Sequence, residues 1–114
     1  MSSISKVRQS IVLTASGQLQ KLVNTKAGAS TATNITKAQV MTVFGQASAA
    51  DAEIKIYNEI GAGATAAKLI FHGKFGTAAN NVHEFKMPGV GLYADTGCYV
   101  ALTNCDFCYV VGTF

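Results

Sequence analysis

Charge is what this sequence has least of. Lys, Arg, Asp and Glu make up 13% of its 114 residues, against roughly 25% in an ordinary soluble domain. The formal net charge is only +3, and no basic cluster exists beyond "KVR" at positions 6–8. That argues against nucleic acid as a partner. Long apolar runs are missing too. Nothing approaches the roughly 18 residues of a membrane span, and "IVLTA" near the start is too short for a signal-peptide core. The expectation is no membrane partner and a protein made in a reducing cytoplasm. Three cysteines, an odd number, fit that compartment better than a disulfide framework.

Catalytic patterning is also absent. The acids are Asp51, Glu53, Glu59, Glu84, Asp95 and Asp106, and the histidines are His72 and His83. They form no H-x-x-x-H, no G-x-S-x-G and no paired-carboxylate motif. No enzyme, no catalytic residue and no cofactor is expected. "GAGATAA" spaces Gly61, Gly63 and Ala66 like a dinucleotide fingerprint. That site needs a helix immediately afterwards to hold a pyrophosphate. "KLIFH" follows instead, so a loop between strands is expected. Four Tyr and six Phe are spread along the chain, which suits core and interface rather than a base-stacking platform.

What is present is alternation. "AEIKIYN" sets Ile54 and Ile56 against Glu53, Lys55 and Tyr57, and "HEFKM" sets His83, Phe85 and Met87 against Glu84 and Lys86. "KAQVMTVF" offers Val40, Thr42 and Phe44 on one face. "SIVLT", "LQKLV", "KLIFH", "CYVAL" and "FCYVV" are further β-rich runs. About eight strands result, at the spacing of a sandwich or closed barrel, in a single domain spanning 1–114. "SAADAEIKIYNEI" also fits a helix with Ala50, Ile54 and Tyr57 on one stripe. Branched residues two apart with charges between them favour the strand. An N-terminal arm of about 1–8 and a Gly/Ala/Ser/Thr-rich loop of about 24–34 carry too little apolar surface to order themselves.

The C-terminal stretch "GCYVALTNCDFCYVVGTF" holds Cys105 and Cys108 as C-x-x-C, with Cys98 upstream. A structural zinc site needs four ligands, and Cys98, His72 and His83 form no second knuckle. A redox dithiol needs a strand feeding a helix. The expected reading is an antiparallel hairpin with "NCD" as its turn and Cys98, Val100 and Leu102 on one buried face. A metal site and a redox pair stand behind it as alternatives. Tyr57, Tyr99 and Tyr109 fall on outward positions in this phase.

"MPGVGLYADTGCYVALTNCDFCYVVGTF" resembles the C-terminal end of small tailed-bacteriophage virion proteins. They share a Pro-Gly turn, a strand of the form G-x-Y-V-x-L, a polar turn and a last aromatic-and-valine strand. "EIKIYNEIGAGATAAKLIFHGKF" is similar to their middle strands. The resemblance implies an eight-stranded jelly-roll β-sandwich of the capsid decoration (cement) type. It also implies a homotrimer on the capsid surface, with the major capsid protein as partner and no catalytic, cofactor or metal residues. A tail, neck or fibre-tip part that binds a host receptor is the alternative. Composition points the same way, since a charge-poor surface favours association. Lys6 and Arg8 are the candidate capsid contacts.

Overall fold

The computed structural model describes residues 8–24, 30–61, 65–77 and 80–114. Within them the regular elements are strands, apart from one 3-10 turn at Ala66–Lys68. The strands are β1 (Gln9–Leu13), β2 (Gly17–Gln18), β3 (Gln20–Asn24), β4 (Ser30–Asn34), β5 (Ala38–Ala47) and β6 (Glu53–Tyr57). Then follow β7 (Leu69–Lys74), β8 (Val82–Lys86), β9 (Leu92–Ala94), β10 (Tyr99–Thr103) and β11 (Cys105–Thr113). The chain is all-β. Eleven strands form rather than eight, the additions being the short β2 and β9 and the ribbon strand β4.

All pairings are antiparallel. One sheet runs β1-β11-β5-β8, with β9 also on β5; a second runs β2-β10-β6-β7; β3 and β4 form a separate ribbon. The two larger sheets face each other across one core. Ile54, Ile56 and Val100 from the second sheet and Val40, Val43 and Val110 from the first are all fully buried. Burial of each such side chain is worth roughly 1.5–3 kcal/mol. Gly45 marks a close approach: a Cβ there would sit 2.9 Å from Ile54 Cδ1 and 3.1 Å from Phe75 Cζ. Leu19 and Ile35 flank the ribbon and pin it to the core. The Leu19 amide donates to the Cys98 carbonyl at 2.8 Å, and the Ile35 amide donates to Leu19 at 3.0 Å.

Period-2 alternation explains most of this. In β6 the isoleucines point inward and Glu53 and Lys55 outward, as a strand requires. The helical alternative for that segment does not form. In β5 the alternation breaks. Val40 and Val43 are both buried, because a register shift leaves Met41 without a partner on β11. A bulge inserts one residue and flips the faces beyond it, so Val40, Thr42 and Phe44 do not share a face. At that residue the other edge of β5 also changes partner, from β9 to β8.

The expected C-terminal hairpin is not there. β10 and β11 follow each other with only Asn104 between, yet β10 pairs with β2 and β6 while β11 pairs with β1 and β5. Asn104 turns the chain from one sheet to the other at φ 54°, the left-handed region that Asn tolerates. Its side chain donates to the Ala50 carbonyl at 3.0 Å, and its carbonyl accepts the Ser48 amide at 2.7 Å. The connection is a one-residue arch.

Of the segment 24–34 expected as a loop, Asn24 ends β3 and Ser30–Asn34 is β4, paired with β3 from Gln20↔Asn34 to Asn24↔Ser30. Residues 25–29 and the arm as far as residue 7 lie outside the described residues.

Candidate functional site

The cysteines come first, because a reactive thiol would give the chain chemistry of its own. Cys98 and Cys108 are fully buried, and burial pushes both thiols up to about 12. Cys105 is half-buried, its thiol also raised by burial, with Sγ 3.4 Å from the Thr103 carbonyl and 3.5 Å from that of Glu53. Metal binding and thiol exchange both use the thiolate, and these sites disfavour it. Among the described residues no group of three or more His, Cys, Asp or Glu is placed to hold a metal ion. His72 and His83 are apart: His72 pairs across from Lys55 in the second sheet, and His83 sits on β8 against Phe75 and Phe85. Cys98 and Val100 are buried and Leu102 packs on the same core, as the strand phase predicted.

The outer face of the second sheet is charged. Its register sets Glu53 opposite Lys74 and Lys55 opposite His72, with Thr103 and Ala101 on the other side of β6. Opposite charges at cross-strand and diagonal positions attract. The His72 imidazole contacts the Glu53 carboxylate through Nε2. That hydrogen bond chiefly, helped by the nearby cations, holds the Glu53 carboxyl below the ordinary carboxylate range. Beside it lies an open hollow of about 260 Å³ lined by Asp51, Ala52, Glu53, Lys74 and Gly76. These charged side chains keep the outer face of the sheet solvated.

The outer face of the first sheet is apolar. Adjacent strands bring Val12, Tyr109, Phe44 and Glu84 into one row across β1, β11, β5 and β8. The neighbouring row is Ser10, Val111, Thr42 and Lys86, and on the other side Phe107 and Gln46 lead to Val82. The rings of Phe44, Phe107 and Tyr109 form a triad. Phe107 and Tyr109 stand edge to face with centroids 5.4 Å apart, and Phe44 lies 6.1 Å from each. Val12 is 53% exposed, Val82 48% and Tyr109 42%. In these rows the charged residues are Glu84 and Lys86, 4.0 Å apart on β8. Half-buried Phe44 and Phe107 and exposed Tyr109 sit on the adjacent strands β5 and β11, flanked by exposed Val12 on β1 and Val82 on β8. A contiguous exposed apolar patch of this kind marks an interaction surface.

Of the tyrosines expected outward, Tyr109 is outward, Tyr99 is half-buried and Tyr57 is buried at 7% exposure. Tyr57 lies at a register shift in which β7 carries an extra residue, Ile70, between the partners of Ile56 and Tyr57. Its ring packs 6.4 Å from that of Tyr99. Phe44 and Phe107 are the face residues that pattern reading missed. The signal for Phe107 was present, since "FCYVV" alternates aromatic and small residues; that for Phe44 was hidden by the bulge. Arg8 is exposed and immediately precedes β1, the edge strand of this sheet, and Lys6 lies outside the described residues.

A third feature lies by the C-terminus. Lys37, Gln39, Tyr93, Thr113 and Phe114 line an open groove of about 240 Å³, with Tyr93 61% exposed. Gln39 is fixed there by donating to the Val90 carbonyl and by accepting from the Thr113 hydroxyl at 3.4 Å.

The chain matches no protein-family model, no curated protein and no solved structure.

Proposed function

We propose that this chain is a structural protein of a tailed-bacteriophage virion: a capsid decoration protein, folded as an eight-stranded jelly roll, that trimerises and cements adjacent major capsid protein subunits. The observation that carries the reading is the order of strand pairing. With the β3–β4 ribbon and β9 set aside as insertions, eight strands remain. The first of them pairs with the last (β1 with β11), the second with the seventh (β2 with β10), the third with the sixth (β5 with β8) and the fourth with the fifth (β6 with β7). That is one long hairpin. The β11–β5 and β10–β6 pairings roll it into two facing sheets, the jelly-roll architecture found in many capsid proteins. The fold alone does not assign a function. The apolar outer face, the charge-poor composition and the resemblance of the C-terminal strands favour a part that lives covered by neighbours.

Particles lacking the protein should expand or leak DNA on heating or in low salt more readily than complete ones, and the protein should be present in hundreds of copies per particle. Equal robustness with a copy number of a few tens or fewer would move it to the tail, neck or fibre tip. The Tyr93 groove supports that second reading. An exposed aromatic beside an amide, a hydroxyl and an ammonium is the chemistry that binds a polar receptor group.

A further inference from the structure

We infer that copies of this chain associate through the outer face of the β1-β11-β5-β8 sheet. The inference rests on the self-association of the proposed function, names the surface through which two copies meet, and stands or falls separately from the capsid location.

The size of the face is the first argument. Four strands about 4.8 Å apart, of five, nine, ten and five residues rising about 3.3 Å each, present on the order of 450 Å². A standard interface takes roughly 800 Å² per partner. The face thus supplies a little over half of such a surface, its centre, and flanking loops supply the rest. Its composition matches as well: three aromatic rings and Val111 sit centrally on β5 and β11, Val12 and Val82 extend the apolar surface onto the edge strands, and the charges lie on β8. An apolar aromatic centre with a polar rim is how interfaces that exclude water are built.

Charge decides the occupant. Glu84 and Lys86 give one charge of each sign, two positions apart. A copy of the same surface answers both, whereas a uniformly acidic or basic partner answers one and repels the other. The opposite sheet adds a contrast. There Glu53, Lys55, His72 and Lys74 keep the outer face solvated, the usual device against unwanted sheet contacts. On the first sheet no charge interrupts the positions of Val12, Tyr109, Phe44 and Val111. A face left in this state on a protein present in many copies meets its own copy first.

The test is mass in solution, by sedimentation of the full chain at about 50 µM, a concentration typical for micromolar self-association. The natural chain should run as an oligomer, well above its single-chain mass of 11.9 kDa. Tyr109→Arg should weaken association on the order of 100-fold, as for a charge at a buried interface centre, with unchanged far-UV circular dichroism. Thr103→Lys, on the other sheet, should keep the natural mass. Where Tyr109→Arg fails to fold, Val12→Lys, at an exposed edge position, decides in its place. A natural chain that sediments as a monomer overturns the inference even if it still decorates particles. So does a folded Tyr109→Arg or Val12→Lys protein that keeps the oligomeric mass.

Discussion

The two outer faces of this protein are made by the same alternation and carry opposite chemistry. On the second sheet the outward positions of β6 and β7 are Glu53, Lys55, His72 and Lys74. On the first, the outward positions of β1, β5 and β11 are Val12, Phe44, Phe107, Tyr109 and Val111 with the uncharged polar residues Ser10, Thr42 and Gln46. Inward, the sheets are alike: branched aliphatics with small residues where they approach closely. The inner faces therefore hold the fold, and the outer faces are free to differ. What differs is contact with water. One face stays solvated, and the other is left to be covered.

That division breaks most visibly if an outer residue proves as costly to remove as an inner one. Ile56→Ala, in the fully buried centre of the second sheet, should cost about 2–5 kcal/mol by urea denaturation of the dilute protein. Phe44→Ala removes a half-buried ring whose neighbours Phe107 and Tyr109 remain packed on each other. It should cost only about 1–2 kcal/mol. Equal losses would make the aromatic triad a second core, and the contrast between the faces would no longer be one of function.

A smaller effect separates the inward and boundary positions of a single strand. Cys108→Ser puts a hydroxyl into a site fully closed to water, and an unpaired buried hydroxyl costs about 1–3 kcal/mol. Cys105→Ser keeps the Thr103 and Glu53 carbonyls as acceptors and should stay within about 0.5 kcal/mol, as boundary substitutions usually do. Thiol labelling of the folded protein gives the same order by another route. Cys105 should react first, with Cys98 and Cys108 protected until the chain opens. Rapid modification of Cys108 in the folded protein would show that the core between the sheets is open there.

How much of this was legible in the sequence follows from what alternation encodes. Ile54 and Ile56 against Glu53 and Lys55, and Phe85 against Glu84 and Lys86, were readable because each strand's period reports its own two faces. Pairing partners were not. "CYVAL" and "FCYVV" alternate in the same way whether the turn between them closes a hairpin or arches between sheets. Only long-range contacts distinguish the two: the separate partners of β10 and β11, and the hydrogen bonds of Asn104 to Ala50 and Ser48. The bulge at Met41 was equally silent, because one inserted residue leaves composition unchanged while turning Phe44 outward. The apolar face was therefore half visible: Tyr109 could be placed, whereas Phe44 depended on a bulge and Val12 on a partner strand almost a hundred residues away. The ribbon was missed for a related reason. "STATN" has no apolar alternation, and its pairing rests on backbone hydrogen bonds to β3.

The smallest expected effect belongs to the charged face and concerns pH. The His72 contact, with Lys55 and Lys74 nearby, holds the Glu53 carboxyl below its ordinary value of 4.5. A carboxyl whose folded value is depressed binds its proton less readily folded than unfolded. Its contribution is therefore complete above the unfolded value and is lost as pH falls through the folded one. Glu53→Gln should lower the thermal midpoint slightly at neutral pH, and the difference should shrink as pH falls below the ordinary carboxylate range, so the two curves converge on acidification. The size is limited by solvent, since both partners are about a third exposed and surface pairs are screened. Addition of 0.5 M salt, where the screening length falls to about 4 Å, should narrow the difference at pH 7. Curves that stay parallel down to pH 3 would show that Glu53 acts through shape alone, and the charged face would then differ from the apolar one only in solubility.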